Sequence, residues 1–102
     1  MKTFEIKHEA PAQVINSSLV GNVGSGDLEV MVEPNNENFF HVEIKTSAEG
    51  SEQRWNQIFQ RIETEQSLPA MKISIHDFAA TPGVIKLRIA QALETALTGG
   101  DQ

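Results

Sequence analysis

Leu19-Val20-Gly21-Asn22-Val23-Gly24-Ser25-Gly26-Asp27-Leu28-Glu29-Val30-Met31-Val32 holds two apolar runs with a four-residue break, Gly24 to Asp27, between them. The second run alternates with period two, as a half-buried strand does, setting Leu28, Val30 and Val32 on one face and Glu29, Met31 and Glu33 on the other. Two extended runs around a glycine-rich break predict an antiparallel pair with Ser25 at the hairpin tip. Gly24 and Gly26 flank the hydroxyl, so the backbone there is free to take positive φ and no neighbouring β-carbon hinders approach to the oxygen. Ser25 is thus the most accessible nucleophilic oxygen the sequence offers. The same four residues are also ordinary turn chemistry. Pattern alone leaves both readings open, a plain turn and a displayed hydroxyl.

Outward from the tip, the remaining elements follow from periodicity. On the N-terminal side Phe4 and Ile6 alternate with Glu5 and Lys7, a short first strand that ends before Pro11. On the C-terminal side Pro34-Asn35-Asn36-Glu37-Asn38 is a turn cluster, and Phe40, Val42 and Ile44 then alternate with His41, Glu43 and Lys45. Short turns between successive strands predict an antiparallel meander here. Trp55, Ile58, Phe59 and Ile62 fall at i, i+3, i+4 and i+7, the apolar stripe of a helix capped by Gly50 or Ser51. Met71, Ile73 and Ile75 read as a further strand. Thr81-Pro82 starts a second helix, with Val84, Ile85, Ile89, Ala92, Leu93 and Ala96 on its apolar face and Gly99-Gly100 as its stop. The order β-β-β-β-α-β-α predicts an α+β fold: an antiparallel or mixed sheet of four to five strands with two amphipathic helices packed on one face.

Composition narrows the function classes. The 102 residues are enough for a single domain, 1–102, with one core and no need of staples. There are no cysteines, so disulfides and thiolate metal sites are out. No run approaches the roughly 18 apolar residues of a membrane span, and Met1-Lys2-Thr3-Phe4-Glu5 does not resemble a signal peptide. The expectation is a cytoplasmic protein with no membrane insertion. Fourteen acidic residues against eight scattered basic ones give a formal charge of -6, a poor match to nucleic acid.

Catalytic and metal-binding constellations fail one by one. Ser25, His76 and Asp77 invite a serine-hydrolase reading, but adjacent strand residues point to opposite faces, so His76 and Asp77 do not form one relay toward Ser25 unless the strand has already ended. Ser25 also lacks the strand-to-helix elbow of such enzymes, because a strand follows it. His8, His41 and His76 are too far apart in the chain to show ligand-pair spacing, and no metal site is expected. Gly21, Gly24 and Gly26 make a loose glycine-rich loop, yet neither a helix N-terminus nor a lysine follows to hold phosphate non-covalently. A displayed hydroxyl with Asp27 beside it suits covalent modification by another enzyme, which brings its own general base.

Val23-Gly24-Ser25-Gly26-Asp27-Leu28-Glu29-Val30, together with Ile75-His76-Asp77-Phe78-Ala79-Ala80-Thr81-Pro82-Gly83-Val84, resembles the acyl carrier (delta) subunits of malonate decarboxylase. A shorter echo, Ser25-Gly26-Asp27, is similar to the acyl carrier subunit of citrate lyase. The resemblance implies a non-catalytic carrier in which Ser25, flanked by Gly24, Gly26 and Asp27, bears 2'-(5''-phosphoribosyl)-3'-dephospho-CoA through a phosphodiester bond. It further implies a terminal thiol that carries acetyl and malonyl thioesters between acyl transferase and decarboxylase subunits, and a prosthetic-group transferase as the modifying partner. A citrate-lyase-type carrier and an unmodified protein-interaction subunit are the alternatives. The four-helix bundle of fatty-acid carriers is not expected, because there the aspartate precedes the serine at a helix start, whereas here Asp27 follows it and leads into a strand. Where the family pattern often has a glycine after the aspartate-phenylalanine pair, this chain has Ala79, which is harmless unless the link needs positive φ.

Overall fold

The computed structural model describes residues 1–98, so the expected Gly99-Gly100 helix stop lies outside the described residues. The elements are β1 (Lys2–Glu9), β2 (Ser18–Gly21), β3 (Leu28–Pro34), β4 (Phe39–Thr46), α1 (Glu52–Glu65), β5 (Met71–Asp77) and α2 (Pro82–Thr98). One five-stranded sheet runs in the order β1-β4-β5-β3-β2. β2 with β3, β3 with β5, and β1 with β4 are antiparallel, while β4 and β5 are parallel. The α+β class and a mixed sheet agree with the pattern reading; the meander does not. β3 and β4 are not neighbours, because β5 lies between them. The cause is α1: a helix between two strands returns the chain to the starting end of the sheet, so β5 must enter parallel to β4.

Register explains why one face of the sheet is buried. Phe4, Ile44, Ile75, Val30 and Val20 form a continuous cross-strand row, and Ile6, Val42, Ile73 and Val32 form the next. The inward residues of β3, β4 and β5 are almost completely buried. Each such side chain contributes about 1.5–3 kcal/mol relative to exposure. Over this face α1 lays Trp55 and Phe59, and the Phe59 ring meets Phe40 at 6.1 Å between centroids. α2 adds Ile85, Ile89, Ala92, Leu93 and Ala96. It begins where expected: Thr81 Oγ1 accepts from Val84 N–H at 3.3 Å, and Pro82 occupies the first helical position. At α1, Ser51 is the N-cap residue by position, but its hydroxyl donates to Ala48 C=O at 2.8 Å instead of capping. The opposite sheet face carries the polar half of each alternation, including Glu29, Glu43, Lys45 and His76. Among the described residues no helix is long and apolar enough to cross a membrane.

The edge strand β1 is fastened to α1 by a titratable contact. His8 Nε2 hydrogen-bonds the Glu63 carboxylate and the ring stacks on Phe40 at 5.1 Å. The bond to Glu63, helped by the Glu9 carbonyl, raises the imidazole above its ordinary value. A raised folded value means this contribution is fully present below the unfolded value of about 6.5 and fades as pH rises through the folded one. His8→Gln should therefore flatten the melting midpoint between about pH 6 and pH 8, where the parent protein loses stability with rising pH.

Candidate functional site

Ser25 stands at the end of the sheet where β4 and β5 finish and β3 begins. Thr46 of β4 and Leu28 of β3 both pair with Asp77 of β5 there, and both helices start from the same end. The hairpin is wider than the pattern indicates. β2 stops at Gly21, leaving a connection from Asn22 to Asp27, and Val23 is an exposed loop residue rather than part of a strand. The break comes early because Gly21 takes a φ of 95° and packs against the Leu28 carbonyl, where a side chain would not fit. Within the connection Asp27 N–H donates to Gly24 C=O at 3.1 Å, so Gly24 to Asp27 is a tight turn as expected. Of the two glycines beside Ser25, Gly26 has positive φ (78°) and Gly24 does not. The space at both is open: no heavy atom lies within 4 Å of where a β-carbon would sit. Ser25 itself is exposed.

The turn is exposed yet held from two directions. Gly26 N–H donates to Phe78 C=O at 2.8 Å, and Phe78 N–H donates to Asp27 C=O at 2.9 Å, extending the β3–β5 ladder into the turn. From the helical side, Arg88 Nε and Nη2 donate to Asp27 Oδ1 and Oδ2 at 3.2 and 3.1 Å. This two-point ion pair clamps the loop to α2. Arg88, together with the Leu28 N–H at 2.7 Å and Asn22, holds the Asp27 carboxyl below the usual carboxylate range. The charge of Asp27 is thus spent on the loop and not offered outward. Arg88 gave no signal in the sequence, since its partner lies 61 positions away.

Asp77 explains the shape of the link that follows β5. Its buried carboxylate accepts from Thr46 Oγ1 at 2.7 Å and from Ala80 N–H at 3.0 Å. It therefore fixes residues 78–80 from the core side. His76 points to the other face and packs against Phe78 in a tilted arrangement, with ring centroids 4.4 Å apart. His76 and Asp77 thus lie on opposite faces of β5, and the Asp77 carboxylate is taken up by Thr46 and Ala80. His8 and His41 lie beside Glu63 and Glu5 respectively, and among the described residues no group of three or more metal-ligating side chains converges. The link does need positive φ: Ala79 has a φ of 62°. Ala79→Gly should raise the urea midpoint, by about 0.5–1 kcal/mol in stability, because the left-handed conformation costs a β-carbon residue more than glycine loses in the unfolded chain.

A family model described as malonate decarboxylase delta subunit (MdcD) matches residues 15–96. The chain belongs to that family. Among malonate decarboxylase delta subunits, it is 48% identical over 94 residues to the malonate decarboxylase acyl carrier protein of Stutzerimonas stutzeri strain A1501, covering 92% of this chain and 95% of the relative. Identity to the corresponding protein of Pseudomonas paraeruginosa strain DSM 24068 / PA7 is 50%, with 92% and 93% covered. A chain in the crystal structure of a Pseudomonas malonate decarboxylase hetero-tetramer in complex with malonate superposes with a TM-score of 0.85 at 44% identity, over 92% of this chain and 97% of that one. The match is to the malonate family that the two quoted motifs resemble. Within this delta-subunit fold both motifs meet: the Ser25 turn and the Asp77 to Gly83 link are hydrogen-bonded neighbours.

Arg88 yields a test of what the clamp does. Arg88→Ala should lower the hydrogen-exchange protection of the Gly26 and Asp27 amides several-fold while leaving the fold in place, with Arg88→Lys between the two. A depressed carboxylate contributes above its unfolded value, and the contribution is lost only as pH falls through the folded value. The clamp is therefore intact throughout about pH 5 to 8, and the Arg88→Ala deficit should be constant across that window.

Proposed function

We propose that the chain is the acyl carrier subunit of a malonate decarboxylase complex, with Ser25 as the attachment point of 2'-(5''-phosphoribosyl)-3'-dephospho-CoA. The observation that carries this reading is an exposed hydroxyl with open space on both flanks, on a turn clamped by Arg88 and Phe78. That geometry suits a bulky phosphodiester, because the space beside both flanking glycines is open. When bound, the group supplies a thiol able to carry acyl units. The work of the protein's own residues is positional. The Ser25 oxygen holds the linkage, the clamp gives the modifying transferase one fixed backbone to recognise, and the sheet end keeps the attachment point clear of the core. Among the described residues no side chain hydrogen-bonds the Ser25 hydroxyl as a base would, so its proton would be taken by the transferase. Catalysis would reside in the acyl transferase and decarboxylase subunits, and tethering would raise the local concentration of the carried acyl group at each site. Production beside the transferase, followed by peptide fragmentation, tests the reading. The expected result is a mass addition localised to Ser25; an addition at another residue would move the attachment point, and none with an active transferase would favour an unmodified interaction subunit instead.

A further inference from the structure

The groove between α1 and α2 is not used by the Ser25 site. It encloses about 620 Å³, and its floor is apolar, made by Ile58, Ile62, Ile89, Ala90 and Leu93. Ile58 and Ile62 are only partly buried, although they belong to the apolar stripe of α1. Arg54, Arg61 and Lys86 rim this floor, against a single acid, Glu65. Three of the chain's eight bases and one of its fourteen acids thus meet at one place, reversing the sign of the molecule as a whole. Glu65 is the partner of Arg61 at 3.8 Å, while among the described residues Arg54 and Lys86 have no acidic partner. The lining runs from Arg54 to Glu65 along α1, a length of about 16 Å at 1.5 Å per residue.

We propose that this groove docks an amphipathic helix of a partner subunit, apolar on one face and flanked by Asp and Glu. An elongated apolar floor between two helices takes a third helix through anchors at i, i+3, i+4 and i+7. The basic rim sets the charge of the flanks and steers the encounter. Helical geometry makes this compatible with the carrier role. Arg88 is two residues from Lys86, about 200° around α2, so the groove and the Ser25 loop held by Arg88 lie on opposite flanks of that helix. A partner seated in the groove leaves Ser25 accessible.

The test uses the full chain and the other subunits of its decarboxylase complex. Reversing the rim in the triple variant Arg54→Glu, Arg61→Glu, Lys86→Glu should weaken binding to those subunits at least tenfold at low salt and flatten its salt dependence. Mass addition at Ser25 by the transferase should be unchanged, which separates this proposal from the carrier reading. Wild-type affinity of the triple variant would overturn the proposal. Photo-crosslinking from position 57, with a benzophenone residue in place of Gln57, keeps it testable if the triple variant fails to fold. A crosslink to an acidic amphipathic helix of a partner subunit supports it, and a crosslink to a second copy of this chain, or none in the assembled complex, overturns it.

Discussion

Ser25→Ala should abolish the mass gained on exposure to the prosthetic-group transferase, with no measurable loss of fold. Both halves follow from geometry. The hydroxyl is exposed and among the described residues makes no hydrogen bond within the protein, so its removal leaves no buried group unpaired. Surface substitutions of this kind stay within about 0.5 kcal/mol of the parent. The effect on modification should be all-or-none because Ser25 is the one hydroxyl residue in the Asn22–Asp27 connection. Intact mass, melting midpoint and binding to the partner subunits, measured on the same preparations, separate attachment from folding and docking. Residual mass gain at the parent rate in Ser25→Ala would move the attachment point elsewhere. Ser25→Thr is the graded companion: it keeps the hydroxyl but adds a methyl group, and should be modified slowly or not at all.

What the sequence makes legible here is whatever is local. The alternations at Leu28–Val32, Phe40–Ile44 and Met71–Ile75 all place their apolar halves on the buried face, and Thr81-Pro82 begins a helix where its chemistry says it should. Ser25 was visible for the same reason, since exposure and turn chemistry are written in four consecutive residues. Strand order was not, because turn length constrains neighbours in sequence but a helical crossover re-enters the sheet at a place set by packing. The clamp was hidden more deeply. Arg88 reads as one more polar position on an amphipathic helix, and only the fold brings it to Asp27. Ala79 was a half-legible case: the departure from glycine was visible, but the φ that gives it meaning depends on the carboxylate of Asp77 fixing the link.

Gly21, which composition and motif leave looking like a minor member of a glycine-rich loop, should be the glycine among the described residues that the fold tolerates losing least. Gly21→Ala would place a β-carbon 1.9 Å from the Leu28 carbonyl oxygen and 3.1 Å from its carbon. Those are backbone atoms, so no rotamer change relieves the overlap. The β2–β3 pairing would have to open at Gly21–Glu29, and with it the hydrogen bond from Asn22 N–H to Leu28 C=O. The φ of 95° adds its own penalty for any L side chain. Positions strained in this way cost of order 1–3 kcal/mol before the overlap is counted. A loss on the order of 3 kcal/mol would lower the melting midpoint of a domain this size by more than about 10 °C. Gly24→Ala is the informative contrast, because its φ is not positive and its surroundings are open; it should leave the midpoint within about 4 °C of the parent. Since Gly21 is where the hairpin narrows into the Asn22–Asp27 connection, Gly21→Ala should also slow modification of Ser25 at temperatures where the protein is still folded. Equal midpoints for the two alanine variants would mean that β2 is free to separate from β3 without cost, and the clamp on Ser25 would then rest on Phe78 and Arg88 alone.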